Sequence, residues 1–106
     1  MKKIFAFTLV ATAVFAHADT FPSKPITIVV PFTAGGPTDR VARDLAEAMR
    51  KPLGGATLLV DNAAGAGGSI GANKVAKAAP DGYTLSQLTI GVARLPHMQK
   101  MQFDPL

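Results

Sequence analysis

The chain has 106 residues, no Cys, no Trp and two His, with a formal net charge of +4. That length admits at most one small domain, and the absence of Cys excludes both a disulfide framework and a thiolate metal site. With few aromatics and no Lys/Arg cluster, the chain lacks the charge and stacking surfaces that nucleic-acid binding needs.

In chain order, the first eighteen residues read as a secretory signal. Lys2 and Lys3 head an apolar run from Ile4 to about Phe15, and Ala16-His17-Ala18 forms a small-x-small cleavage pattern. The run falls short of the ~20 apolar residues that span a bilayer. Cleavage after Ala18 is expected, with no stable membrane insertion afterwards. Loss of Lys2 and Lys3 leaves nine basic against seven acidic residues, a net charge of about +2.

Beyond the signal, "ITIVV" (26–30) is a continuous β-branched run, which predicts a strand covered on both faces. A helix is predicted from about Pro37 to Lys51, with Val41, Ala42, Leu45, Ala48 and Met49 as its apolar stripe. Pro52, Gly54 and Gly55 end it. "TLLVDN" (57–62) is a second strand, and a second helix runs from about Ser69 to Ala79 before the Pro80-Asp81-Gly82 turn. "YTLSQLTI" (83–90) predicts a third strand, and the rest shows no clear period. The order β-α-β-α-β with short connections predicts an α/β fold, a partial doubly wound sheet with right-handed crossovers.

Two glycine-rich turns, "PFTAGGPTD" and "NAAGAGGSIG", each follow a strand and precede a helix. In an open α/β sheet both lie at the carboxyl ends of strands, where ligands bind. Pro37 suits the first helical position, which makes Gly36 the N-cap. Free N–H groups and the positive end of the helix dipole there suit an anion. The plainer reading, that the glycines only close tight turns, stands beside this one. Asp39 either accepts a hydrogen bond from a ligand or complements the helix dipole. Asp61 and Asp81 read as strand-end and turn residues, and Thr89 as a polar group facing the cleft.

Other chemistries find little support. Gly65 and Gly67 begin a dinucleotide fingerprint, but position 70 is Ile and the third glycine falls at Gly71. His97 is the only His after the signal, and no Ser sits in a G-x-S-x-G elbow. No catalytic residue, metal site or cofactor is expected.

The stretches "FPSKPITIVVPFTAGGPTDRVARDLAEAM", "VDNAAGAGGSIGANKVAKAAPDGYTL" and "FDPL" resemble the start of the tripartite tricarboxylate transporter solute receptors, the Bug-type periplasmic binding proteins. The resemblance spans nearly all of residues 21–106. It implies a two-lobed periplasmic receptor that grips a small carboxylate or related solute and presents it to membrane transporter subunits. By the same resemblance, main-chain N–H groups of Thr33, Ala34, Gly35 and Gly36, and of Ala66, Gly67 and Gly68, hold the carboxylate. Asp39 matches the motif's acidic position; where the family often shows a Gly-Thr pair after the third strand, this chain has Leu88-Thr89-Ile90-Gly91, and the role carries over to Thr89. Where the family usually reads Glu-Asn-Arg-Pro before its second glycine set, this chain has Asp61-Asn62-Ala63-Ala64.

Family members are far longer, so residues 19–106 are expected to be part of an N-terminal lobe, the product of a truncated or frame-shifted gene. An inactive remnant is the alternative function, and a nucleotide-binding enzyme domain the more distant one. On the receptor reading, Gly36→Val is expected to abolish binding while leaving the strand intact.

Overall fold

The computed structural model describes residues 19–103, so the expected signal and the last three residues lie outside the described part. The elements are β1 (Ile26–Val30), α1 (Pro37–Arg50), β2 (Leu58–Asn62), α2 (Ser69–Ala76), β3 (Thr84–Ser86) and α3 (Ile90–Arg94), with 3-10 turns at Ala66–Gly68 and Leu95–His97. All strand pairs are parallel, in the order β2-β1-β3.

The apolar run of β1 has the environment its composition demands. It is the central strand, with Thr27 beside Leu59 on one side and Thr84 on the other. Ile26, Ile28 and Val30 pack with Ala42 and Ala46 of α1 and with Leu58. Val29 points to the opposite face and is also fully buried. Each such side chain taken from water contributes about 1.5–3 kcal/mol, so β1 dominates the core. A smaller cluster of Ala72, Val92 and Leu95 joins α2 to α3. Because β2 and β3 flank β1 on opposite sides, the second crossover passes over β1, and a doubly wound sheet results.

The structure departs from the sequence expectations in four places. The predicted stripe on α1 is rotated: Ala42 and Ala46 face the sheet, while Val41 and Leu45 are 56% and 46% exposed. Small alanines let the helix sit close to β1 and β2. Leu45 and Met49 instead line an open apolar groove with Ile28, Leu85 and Leu88. The predicted third strand is cut to Thr84–Ser86, with one further bond from the Gln87 N–H to the Val29 carbonyl. Its partner β1 ends at Val30, and the next residue, Pro31, has no N–H to continue a ladder. The segment without clear period contains all but the first residue of α3, with Val92 and, just past the helix end, Leu95 buried. The second helix also ends early, at Ala76, where the Lys77 N–H caps onto the Asn73 carbonyl.

Among the described residues, no helix is long and apolar enough to cross a membrane, and no group of three or more His, Cys, Asp or Glu is placed to hold a metal ion.

Candidate functional site

Both glycine turns and the N-terminus of α3 lie at the carboxyl edge of the sheet, because all three strands run the same way. In open α/β sheets this edge, where the chain switches from one side of the first strand to the other, is where ligands bind. Thr33, Ala34 and Gly35 are exposed, and Gly36 is half-buried. Ala66 and Gly67 are exposed and Gly68 is buried. Thr89 is not in a strand; it is the N-cap of α3, with extended backbone and no capping bond from its side chain.

The first turn is held by Asp39. This residue occupies the third position of α1, is 3% exposed, and accepts bonds on both carboxylate oxygens. Oδ2 receives the Gly35 N–H at 2.8 Å and the Arg43 Nε–H at 3.0 Å, and Oδ1 receives Asn62 Nδ2 at 2.9 Å. Asn62 Nδ2 also donates to the Phe32 carbonyl at 3.2 Å. An acid at this position often reaches back to the N-cap N–H. Here it reaches one residue further, to Gly35, which draws the loop over the helix end. Arg43 above all, then the Gly35 amide and then Asn62 lower the carboxyl's pKa to about 2, against desolvation by burial, which raises it.

Gly35 has φ +86°, whereas Gly36 has φ −78°. A side chain at Gly35 is therefore strained, while a Cβ at Gly36 meets only the Thr33 carbonyl at 3.5 Å. The conformational requirement for glycine thus falls on Gly35 and not on Gly36. Gly35→Ala is expected to cost about 1–2 kcal/mol, and Gly36→Ala less, about 0.5 kcal/mol for the poorer N-cap alone, measured as denaturation midpoints. An equal cost at both positions would contradict the assignment.

The second turn runs through four consecutive residues with positive φ: Gly65, Ala66, Gly67 and Gly68. Ala66 holds this conformation with a Cβ, at φ +47°. Its carbonyl accepts the Ser69 N–H and the Ser69 hydroxyl, and the Gly68 N–H closes the turn on the Gly65 carbonyl. A Cβ on Gly68 would stand 3.3 Å from Val92, 3.5 Å from Pro31 and 3.7 Å from Phe32. The turn therefore packs against the foot of the first loop and against α3, which brings the three segments together.

Two amides of the expected ligand set thus already have acceptors within the chain, those of Gly35 and Gly68. The amides of Thr33, Ala34 and Gly67 donate to no acceptor among the described residues. Thr38 and Asp39 begin α1 and have no intrahelical acceptor, because the first ladder bond is made by Arg40 to Gly36.

The other acidic residues lie elsewhere. Asp61 pairs with Lys74 of α2. Asp81, at the amino end of β3, accepts the Tyr83 N–H at 3.0 Å, the main cause of its lowered pKa, and faces Lys24 at 3.6 Å. Sequence reasoning did not single out Asn62 or Arg43. The spacing of four between Asp39 and Arg43 on one helix was a readable signal for that pair.

An open, doubly wound α/β unit with glycine turns gathered at one sheet edge is the architecture of a partial lobe of the periplasmic binding protein fold. The pattern of the family described as tripartite tricarboxylate transporter family receptor matches residues 41–106, and the chain belongs to that family. It is 45% identical over 96 residues to the protein BugT of Bordetella pertussis, covering 82% of this chain and 29% of BugT. Among solved structures it resembles MatC of Rhodopseudomonas palustris with bound malate, at 44% identity and TM-score 0.74 over 80% of this chain and 29% of that one. A second protein of that organism, solved with adipate, matches at 38% identity and TM-score 0.74, with 80% and 29% covered. The chain spans 21% and 31% of the length of the first curated relatives it matches.

Proposed function

We propose that this chain, exported with cleavage after Ala18, forms one wall of the carboxylate site of a periplasmic receptor. The receptor would deliver its solute to membrane subunits of a tripartite tricarboxylate-type transporter, without catalysis. The observation that carries this reading is the exposed turn at the N-terminus of α1, fixed from beneath by a buried carboxylate whose oxygens face its own chain. Asp39 then serves by holding the loop, and the ligand's carboxylate meets main-chain N–H groups: Thr33, Ala34 and Gly36 on the first turn, Ala66 and Gly67 on the second, and the N-terminal amides of α1. Gly35 and Gly68 shape the turns, and Thr89 offers its hydroxyl at the N-terminus of α3. The malate and adipate of the two solved relatives make a dicarboxylate the favoured solute class.

Pockets bury most of a ligand's surface, so a single wall should bind weakly. The test is a titration of the isotope-labelled chain with malate and adipate at millimolar concentration, followed amide by amide by NMR. Saturable shifts at Thr33, Ala34, Gly36, Thr38, Gly67 and Thr89 are expected, with none at Asp81 and Tyr83. Absence of saturable shifts for either acid, or shifts confined to the Asp81 end, would overturn the proposal.

A further inference from the structure

We infer that Asn62 and Arg43 are positioning residues that lock the first glycine turn and couple it to the second. The inference deepens the proposed carboxylate site and rests on that reading for its functional meaning, while its structural content stands separately.

Asn62 is the last residue of β2 and the residue from which the second turn departs. Its carboxamide contacts three groups: Nδ2 donates to Asp39 Oδ1 at 2.9 Å and to the Phe32 carbonyl at 3.2 Å, and Oδ1 accepts Arg43 Nη2 at 3.4 Å. Arg43 in turn donates Nε to Asp39 Oδ2 at 3.0 Å. The three side chains therefore close a ring, Asp39 to Arg43 to Asn62 and back to Asp39. The ring holds two points of the first turn, the Phe32 carbonyl at its foot and the Gly35 N–H at its crown.

Each member has a chemical reason to be the residue it is. An Asp at 62 has the same shape as Asn but loses the amide donor and puts a second carboxylate beside the first. A Lys at 43 keeps the charge but cannot span two acceptors from one planar group, as a guanidinium does. Removing Asn62 would leave Asp39 Oδ1 buried with one donor fewer. Because the second turn begins at Ala63, a shift of Asn62 also moves the base of that turn. The ligand-facing amides of both turns are thus set by one side chain that itself need not touch the ligand.

The test compares the full chain with Asn62→Ala, Asn62→Asp and Arg43→Lys, using amide hydrogen exchange without ligand. The readout is the exchange rate at Gly35 relative to that at Val29 in the core strand, with Val29 also read alone so that a change in global stability is seen separately. A hydrogen bond to a charged group corresponds to roughly tenfold or more in such a ratio. An increase of about that size is expected in all three variants, with Arg43→Lys the smallest. Arg43 is largely exposed, so its variant keeps the test decisive if the Asn62 variants do not fold. A ratio that stays constant in Arg43→Lys and in every folded variant would overturn the inference. Malate titration of the same samples then separates the two readings. A changed Gly35 ratio with no malate binding even by the parent chain would leave the ring established and the carboxylate site refuted.

Discussion

Gly71→Val is expected to abolish cooperative folding, and Gly71→Ala to lower the melting temperature by roughly 4–15 °C, a loss of about 1–2 kcal/mol in so small a domain. A Cβ at this position would stand 2.9 Å from both Cα and Cβ of Pro31 and 3.0 Å from the Ala63 carbonyl. Two of those three atoms belong to the main chain, at the end of β1 and the start of the second turn, so no side chain can rotate away. Overpacking of this kind costs about 1–3 kcal/mol. Alanine's better helix propensity returns only about 0.5–1 kcal/mol. Gly91 supplies the control. It also lies in a helix, but a Cβ there meets only the Thr89 hydroxyl at 3.5 Å, so Gly91→Ala should leave the melt unchanged or raise it slightly. Thermal melts followed by circular dichroism decide the matter, and a Gly71→Ala chain as stable as Gly91→Ala would sink the argument.

Gly71 also clarifies the near match to a dinucleotide fingerprint. The third glycine of that motif serves close packing of helix on strand, and Gly71 meets the same steric demand here, one position later than the motif allows. The 3-10 turn at Ala66–Gly68 intervenes before α2 begins. The glycine at 71 thus serves a close helix–strand approach, and the spacing specifies no ligand.

How much was legible depended on whether the determining contacts were local. The central strand and the start of α1 were readable because a β-branched run and a Pro at the first helical position carry their meaning within a few residues. The stripe on α1 was misplaced because periodicity locates an apolar face but not which flank of it the sheet covers. In this fold the small residues Ala42 and Ala46 face the sheet and the larger Leu45 is left to the groove. The third strand was overextended because its length is fixed by Pro31, just past the end of the neighbouring strand, which its own alternation cannot reveal. α3 was missed for want of length, although Thr89 is a residue type favoured at N-caps. The clamp was half visible: Gly35 and Arg43 each lie four positions from Asp39, whereas Asn62 lies 23 away and only the parallel register of β1 and β2 brings it there.

Asp39→Asn is expected to weaken the fold at neutral pH and to remove most of an acid-induced loss of stability between about pH 4 and pH 2. The folded carboxyl, at about 2, lies below its unfolded value of 3.8, so in this window the unfolded chain binds more protons. Stability from this group is complete above the unfolded value and disappears as the pH falls through the folded one. Asp81 acts in the same direction, but it is exposed and screened, so Asp81→Asn should flatten the profile much less. The cause of the Asp39 shift adds a second discriminating result. Two of the three donors that hold the carboxylate, the Gly35 N–H and the Asn62 Nδ2, are neutral, and salt screens charge attraction far more than it weakens a buried hydrogen bond. Denaturation midpoints measured from neutral to acid pH, at low and high salt, should therefore show nearly the same Asp39-dependent step in both. A step that vanished in high salt would mean that the carboxylate is held by charge alone, and the glycine turn would lose its fixed support.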